Sequence, residues 1–360
     1  MRRPARLATG GLVGLACGVL ALAPRPAAAQ VPTTPAEMYT AWCARCHGTD
    51  GTGRVDDPSI TVEPMDFTDC AVTTAEPDAD WELVITLGGP AAGLSSQMPA
   101  YGDALSSGQV RALIGHVRTF CAESGWPLGN ANFSRPIFTE KAFPEDEVVI
   151  LPAVSHRDGR LDRLRLKGVV ERRVGRRGHI EIGVPLASVL ADGGRETGVG
   201  DVTLAGKYVL STNRRAARIL TGGLELTLPS GSEARGLGAP SAVFEPYLAA
   251  GATAGDLIVQ AQLKIEVPTR DARHETEVVY NLSVSRDLAP RPSTWSIGLE
   301  LNGVDDALAV TPQVRKGLTR TGAIAAAFGV RVPVVNRDRQ STTWVGYVLW
   351  EYMDPVRARP

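Results

Sequence analysis

Val259, Ala261, Leu263, Ile265 and Val267 alternate, without an error over nine residues, with Gln260, Gln262, Lys264 and Glu266. A period of two puts successive side chains on opposite faces of an extended chain, so this segment predicts a strand with one apolar and one polar face. The pattern recurs. Trp295, Ile297, Leu299 and Leu301 alternate with Ser296, Gly298, Glu300 and Asn302. Leu224, Leu226 and Leu228 alternate with Glu225 and Thr227, and Ile180, Ile182 and Val184 with His179, Glu181 and Gly183. In all, twelve strands are predicted, near 147–155, 163–174, 179–186, 201–211, 217–229, 242–252, 256–267, 275–287, 294–303, 307–317, 322–335 and 343–353.

Alternation alone fits a soluble sandwich or barrel as well as a membrane barrel. Three features favour the membrane. Most segments reach 9–14 residues, whereas soluble strands average about 5–6 and a tilted membrane strand needs about 9–11. Their number is even, which returns both ends to one rim. Connections also alternate in length if the first strand rises from the periplasm: 186–200, 230–241 and 269–274 outward, against 175–178, 211–216, 252–255 and 318–322 inward. In such a barrel Glu181, Lys207, Glu225, Lys264, Glu266, Glu300, Arg315 and Arg331 must face the lumen, because a charge facing lipid at mid-membrane costs about 2–4 kcal/mol. Tyr208, Tyr247, Tyr280, Trp295, Trp344, Trp350 and Tyr352 could supply interfacial girdles. Glu351 near the chain end departs from the terminal aromatic that many such barrels carry.

The first 29 residues read as an export signal: basic Arg2, Arg3 and Arg6, an apolar run over 8–23, and Ala27, Ala28 and Ala29 before Gln30. A lipoprotein reading at Cys17 ranks below it, because Gly14 stands where such signals usually carry Leu. Cleavage leaves four cysteines. Cys43 and Cys46 belong to one motif, so Cys70 and Cys121 remain as an even pair: a possible disulfide in an oxidising compartment, or two buried thiols.

That motif is Cys43-Ala44-Arg45-Cys46-His47, the C-x-x-C-H spacing of covalent c-type haem attachment. With five Cys and five His in 360 residues, it arises by chance about once in a thousand such chains. One helical turn brings two thiols to two vinyl groups, and the next residue puts an imidazole on the iron. A zinc half-site would need a second Cys/His pair, and a thioredoxin-like dithiol a preceding strand; the sequence offers neither. For the sixth ligand the candidates are Met65, Met98, His116 and water. Met98 is favoured, because Pro99 stiffens its loop and a helix predicted over 106–121 follows. His116 lies off the apolar stripe of that helix, Val110, Leu113, Ile114, Val117 and Phe120, and is expected to face solvent.

Across 36–122 the order of parts resembles a class I cytochrome c: a first helix into the haem motif, a loop with Gly48, Gly51 and Gly53, a Met-Pro loop and a last helix. The resemblance implies His47 as proximal and Met98 as distal iron ligand, with Cys43 and Cys46 as thioether anchors of one covalent haem c. His/Met ligation closes the iron to substrate and favours electron transfer. The stretches 198–210, 224–231 and 328–334 are similar to the outer-membrane barrel family associated with phenol-degradation pathways, through Gly-Val-Gly-Asp-Val-Thr-Leu, Leu-Thr-Leu-Pro-Ser-Gly and Val-Arg-Val-Pro-Val. That likeness supports a barrel and leaves the substrate open.

The expected fold is multidomain: a signal over 1–29, a small all-α cytochrome c-like domain over 30–122, a Pro-, Gly- and Asn-rich linker over 123–146, and an all-β antiparallel outer-membrane barrel of about twelve strands over 147–360. The expected function is a periplasmic c-type cytochrome electron carrier tethered to that barrel, which acts as anchor or as pore for a small solute. Redox proteins of the periplasm and outer-membrane lipid are its expected partners. Nucleic acid is not, since 38 Lys+Arg against 39 Asp+Glu leave no basic excess. The alternative is a haem-dependent oxidoreductase with a soluble β-rich substrate domain. It would need a second centre, for which only His156, His179 and His274 are available. Arg172, Arg173, Arg176 and Arg177 crowd one predicted turn and could dock a haem propionate face, an acidic partner or lipid headgroups.

Overall fold

The structure, a computed structural model, describes residues 32–191, 194–213, 216–269, 275–289, 295–319 and 322–352. The expected export signal over 1–29, with Cys17, and His274 lie outside the described residues.

The N-terminal part is built from helices: α1 (Pro35–Trp42), α2 (Ala44–His47), α3 (Cys70–Thr73), α4 (Asp78–Leu87) and α5 (Ser107–Val117). Thr34 and Glu37 cap α1 reciprocally, with Pro35 at the first position, and Ser106 with Gln109 repeats the device on α5. Val110, Leu113, Ile114 and Val117 are buried against Met38 and Tyr39 of α1 and Trp81 and Ile85 of α4. Cys70 and Cys121 are disulfide-bonded, tying α3 to the segment beyond α5.

The C-terminal part is an antiparallel barrel of β1 (Glu147–Arg157), β2 (Arg160–Val174), β3 (Gly178–Ala191), β4 (Gly194–Val199), β5 (Val202–Asn213), β6 (Arg218–Leu228), β7 (Val243–Ala254), β8 (Leu257–Pro268), β9 (Glu277–Asp287), β10 (Trp295–Val304), β11 (Ala307–Gly317), β12 (Ile324–Val335) and β13 (Thr342–Glu351). It closes because β1 pairs both β2 and β13, with Ile150 opposite Val348. The strand β4 falls in a predicted outward connection. It is polar at Arg195, Glu196 and Thr197, so it shows no alternation. β3 pairs β5 over its first half and β4 over its second. Thus β4 and β5 are two lengths of one wall strand, interrupted at Gly200 and Asp201, and the wall has twelve staves.

The apolar face points out. Leu263 is 50% exposed, Ile180 53% and Leu299 47%, whereas Gln260, His179 and Glu300 on the alternate positions are 2%, 3% and 0% exposed. A continuous apolar exterior of this extent needs lipid rather than water around it. Glu147 pairs with Glu351, so both barrel termini lie at one rim. Tyr208, Trp295 and Trp350 project outward toward this terminal rim; Phe244, Tyr280 and Trp344 project outward toward the far one. Tyr247 and Tyr352 do not join these girdles. Tyr247 turns inward over Gly223, and the Tyr352 hydroxyl donates to the Glu171 carbonyl. The length contrast between rims is weaker than expected, since β1–β2 and β10–β11 turn at the far rim within two residues. Asp158, Gly159 and Asp305, all at positive φ, allow those tight turns.

Candidate functional site

The Cys43–His47 segment is one helical turn set off from α1 by a small break. Cys43 ends α1 and begins α2, and its carbonyl accepts from the N–H groups of Cys46 (3.1 Å) and His47 (2.9 Å). Both thiols are free of disulfides and half-buried. Gly48, at φ 75°, stops the turn, and the Tyr39 hydroxyl donates to its carbonyl at 2.7 Å. His47 lies flat against Phe67, with centroids 4.4 Å apart. Its Nδ1 is 3.3 Å from the Met65 carbonyl oxygen, which holds the proton on Nδ1 and leaves Nε2 as a free lone pair. Burial lowers the His47 pKa, partly offset by that carbonyl, and so keeps the imidazole neutral. Burial, with the neighbouring Cys46, pushes the Cys43 thiol up to about 11. Two free thiols and a neutral, oriented imidazole on one turn are the donor set a c-type haem requires.

Met98 packs its half-buried side chain on the same core as Cys43 and Met65. Its loop is held at both ends. The Met98 carbonyl accepts from the Gly89 N–H (2.9 Å), and a Cβ on Gly89 would lie 2.2 Å from the Ser95 carbonyl, so only glycine fits there. Gln97 accepts from the Thr61 N–H (2.9 Å) and donates to the Ser59 carbonyl (2.7 Å), pinning the loop to the segment before Met65. His116 is not at the solvent. It is half-buried, with its ring 5.5 Å from Tyr39 and 5.4 Å from Phe120. The stripe and His116 therefore share the side of α5 that meets α1.

Residues 131–146 run inside the barrel, a feature the sequence reading missed. Phe133, Ala142 and Phe143 pack on Val209, Ile219, Tyr247 and Ile258 of the wall, and Ile137 on Val149, Ala325, Val345 and Leu349. Wall side chains take up the segment's main-chain polar groups. Glu300 accepts from the N–H groups of Ile137, Phe138 and Thr139 and from the Thr139 hydroxyl. Gln260 donates to the Ser134 carbonyl, Tyr347 to that of Arg135, Lys207 to that of Lys141 and Thr221 to that of Ala142. Arg135 bridges Glu147 and Glu171, and Lys207 pairs with Glu140. Glu171, His179 and Glu181 stand close enough to share a cation. However, His179 Nδ1 accepts from the Glu145 N–H (3.1 Å), so the proton sits on Nε2 and points at Glu171, 3.5 Å away. Two of the trio are already committed to the plug, Glu171 to Arg135 and His179 to the Glu145 N–H.

A family model described as cytochrome C oxidase, cbb3-type, subunit III matches residues 30–117. The N-terminal helical unit thus matches a cytochrome c-type family model over most of its length. A second family, described as putative MetA-pathway of phenol degradation, matches residues 170–345, within the barrel. Among solved structures, the chain is similar to an outer membrane channel from Pseudomonas putida F1 at 15% identity, covering 61% of this chain and 99% of that one, with TM-score 0.46. It is also similar to the KdgM porin at 14% identity, covering 57% and 98%, with TM-score 0.38. No curated protein matches the chain.

The arginine turn between β2 and β3 faces the cytochrome domain and its exit segment. Arg173 donates to the Ala71 carbonyl (3.3 Å) and lies over the Trp126 ring. Arg176 reaches Glu123 and the Ser124 carbonyl, and Arg177 the Gly125 carbonyl at 2.7 Å. Asn130 joins the other side, bonding to the Asp78 carboxylate and N–H. These arginines are thus occupied by the protein's own chain.

Proposed function

We propose that this protein is an electron carrier of the outer membrane, not an enzyme: a cytochrome domain on the periplasmic side, held there by a barrel that its own chain fills. The observation that carries the reading is the 43–47 turn, with two thiols and an imidazole whose Nδ1 is already engaged, on the same chain as a lipid-facing barrel. Bound haem would supply a one-electron Fe(III)/Fe(II) couple. Cys43 and Cys46 would hold it covalently, His47 Nε2 would be the proximal ligand, and Met98 the distal one. Phe67, Trp81 and Tyr39 keep water from that side of the pocket. Two protein ligands leave no open iron position, which supports electron transfer over peroxide or oxygen chemistry.

Of the two roles open to the barrel, the plug over 131–146 supports anchor over pore. An apolar thickness of about 25 Å also prevents one haem at the rim from passing electrons across unaided. Exchange with soluble redox proteins at the terminal rim is the consistent alternative. The apolar exterior speaks against the soluble substrate-domain reading. The test is haem staining of purified outer membranes on a gel with and without boiling. One haem-positive band that shifts on boiling is expected. A haem-positive band in the soluble fraction, with no shift, would sink the reading.

A further inference from the structure

The plug fills the half of the lumen next to the terminal rim. In the other half, Arg163 and Arg165 stand two residues apart in β2. Arg165 lies opposite Ala153 of β1 and Ala187 of β3, and Arg163 opposite Ser155 and Val189. Ala153, Ala187 and Val189 are buried on the inner face, so both arginines face the lumen, about 6.6 Å apart along one strand face. Both are exposed there, and neither guanidinium has a hydrogen bond or ion pair among the described residues. The two are close enough to repel each other. The carboxylate that offsets this repulsion, Glu225 of β6, already serves Lys167 at 3.8 Å and Lys264 at 3.7 Å.

Register extends this charge around the wall. Arg331 of β12, Thr343 of β13, Ser155 of β1 and Arg163 of β2 form one row of directly opposed residues. The row holds two cations and two hydroxyls, and no acid. Like charges set side by side on one sheet face are unfavourable until an anion lies between them. The Ser155 and Thr343 hydroxyls, 3.0 Å apart, share one hydrogen bond, which leaves the second hydroxyl proton free to donate. We propose that Arg163 and Arg165 bind a small oxyanion of the sulfate or phosphate type that enters from the far rim. Its oxygens accept from both guanidinium groups and from the free hydroxyl proton beside Arg163, and guanidinium suits such oxygens in geometry as well as charge. With the plug closing the periplasmic half, the site holds the anion and does not pass it on. It goes beyond the electron-carrier reading and needs no haem.

The experiment is isothermal titration of sodium sulfate into the full-length holoprotein in a maltoside detergent, with chloride exchanged for sulfate at constant ionic strength. Saturable one-to-one binding is expected, with inorganic phosphate competing. Arg163→Gln and Arg165→Gln should each weaken it about tenfold, the worth of one charge-assisted hydrogen bond. Arg218→Gln removes the same charge at the terminal rim, where Arg218 is exposed, and should leave the affinity unchanged. The boiling shift reports whether each variant is folded. Sulfate heats that do not saturate, or that are the same in folded Arg165→Gln protein, would overturn the proposal. An equal loss in Arg218→Gln would reduce the effect to net charge and overturn it too. Displacement of sulfate by added lipopolysaccharide would give these arginines to lipid phosphates outside the barrel, and would equally refute a lumenal site.

Discussion

Removing the Glu300 carboxylate should unseat the plug. Glu300 is fully buried in the lumen and accepts from Ile137 N–H at 2.7 Å, Phe138 N–H at 3.1 Å, Thr139 N–H at 2.7 Å and the Thr139 hydroxyl at 2.7 Å. A hydrogen bond to a charged group contributes about 1.5–3 kcal/mol net, and four on one carboxylate are not additive. In Glu300→Ala, water can enter the vacated space and recover part of the loss. A net cost of about 4 kcal/mol follows, close to a thousandfold in the seated-to-unseated ratio. Glu300→Gln keeps the volume but aims an NH2 group at N–H donors, so it should cost nearly as much. The assay is conductance across a planar bilayer. Wild type should be silent, and Glu300→Ala should open in discrete events at least a hundredfold more often. A steady open-pore current from wild type, or a silent Glu300→Ala barrel that is folded by the boiling shift, would refute the reasoning.

The cytochrome domain offers separate tests. Met98→Ala should lower the reduction potential and abolish Met–iron absorption, whereas His47→Ala should prevent stable holo-cytochrome and leave the boiling shift of the barrel intact; spectra and gels read both. Replacing Cys70 and Cys121 with Ser opens a loop spanning 51 residues, which should destabilise the helical domain by up to about 4 kcal/mol on the loop-entropy relation. The loss should appear in denaturant unfolding followed by haem absorbance, with the barrel's own transition unmoved. Leu299→Arg puts a charge on the lipid face and should cost the barrel about 2–4 kcal/mol, measurable as urea unfolding in lipid.

Alternation made the barrel legible because lipid and lumen make opposite demands on successive residues. It failed in the two places where that opposition lapses. Strand β4 extends the hairpin with polar residues on both faces, so no alternation marks it. The plug was hidden for the converse reason: its Pro and Asn content reads as an ordinary linker, and its partners are scattered along the wall, from 12 to 212 residues away. A trace of it was nonetheless present. In β13, Val345, Tyr347 and Leu349 face inward between outward Trp344, Val348 and Trp350, so that strand is apolar on both faces. A lumen filled with water does not call for such a strand. Apolar residues on the inner face of a barrel stave require something dry to pack against, and here it is Ile137.

The 43–47 turn is legible in the sequence because its pattern is local: two thiols and an imidazole share one turn. The support around it is not local. The Met65 carbonyl that orients His47 and the Gln97 amide that pins the Met98 loop each lie 18 or more residues from their partners. The same division explains how the two halves meet. Arg173, Arg176 and Arg177 read in the sequence as a free basic turn, since only folding reveals that main-chain carbonyls of 71, 124 and 125 arrive there to be held. A chain that fills its own lumen and clasps its own exit segment fixes the cytochrome domain against the rim. The position of the proposed redox centre relative to the membrane is therefore set by the barrel rather than by a flexible tether.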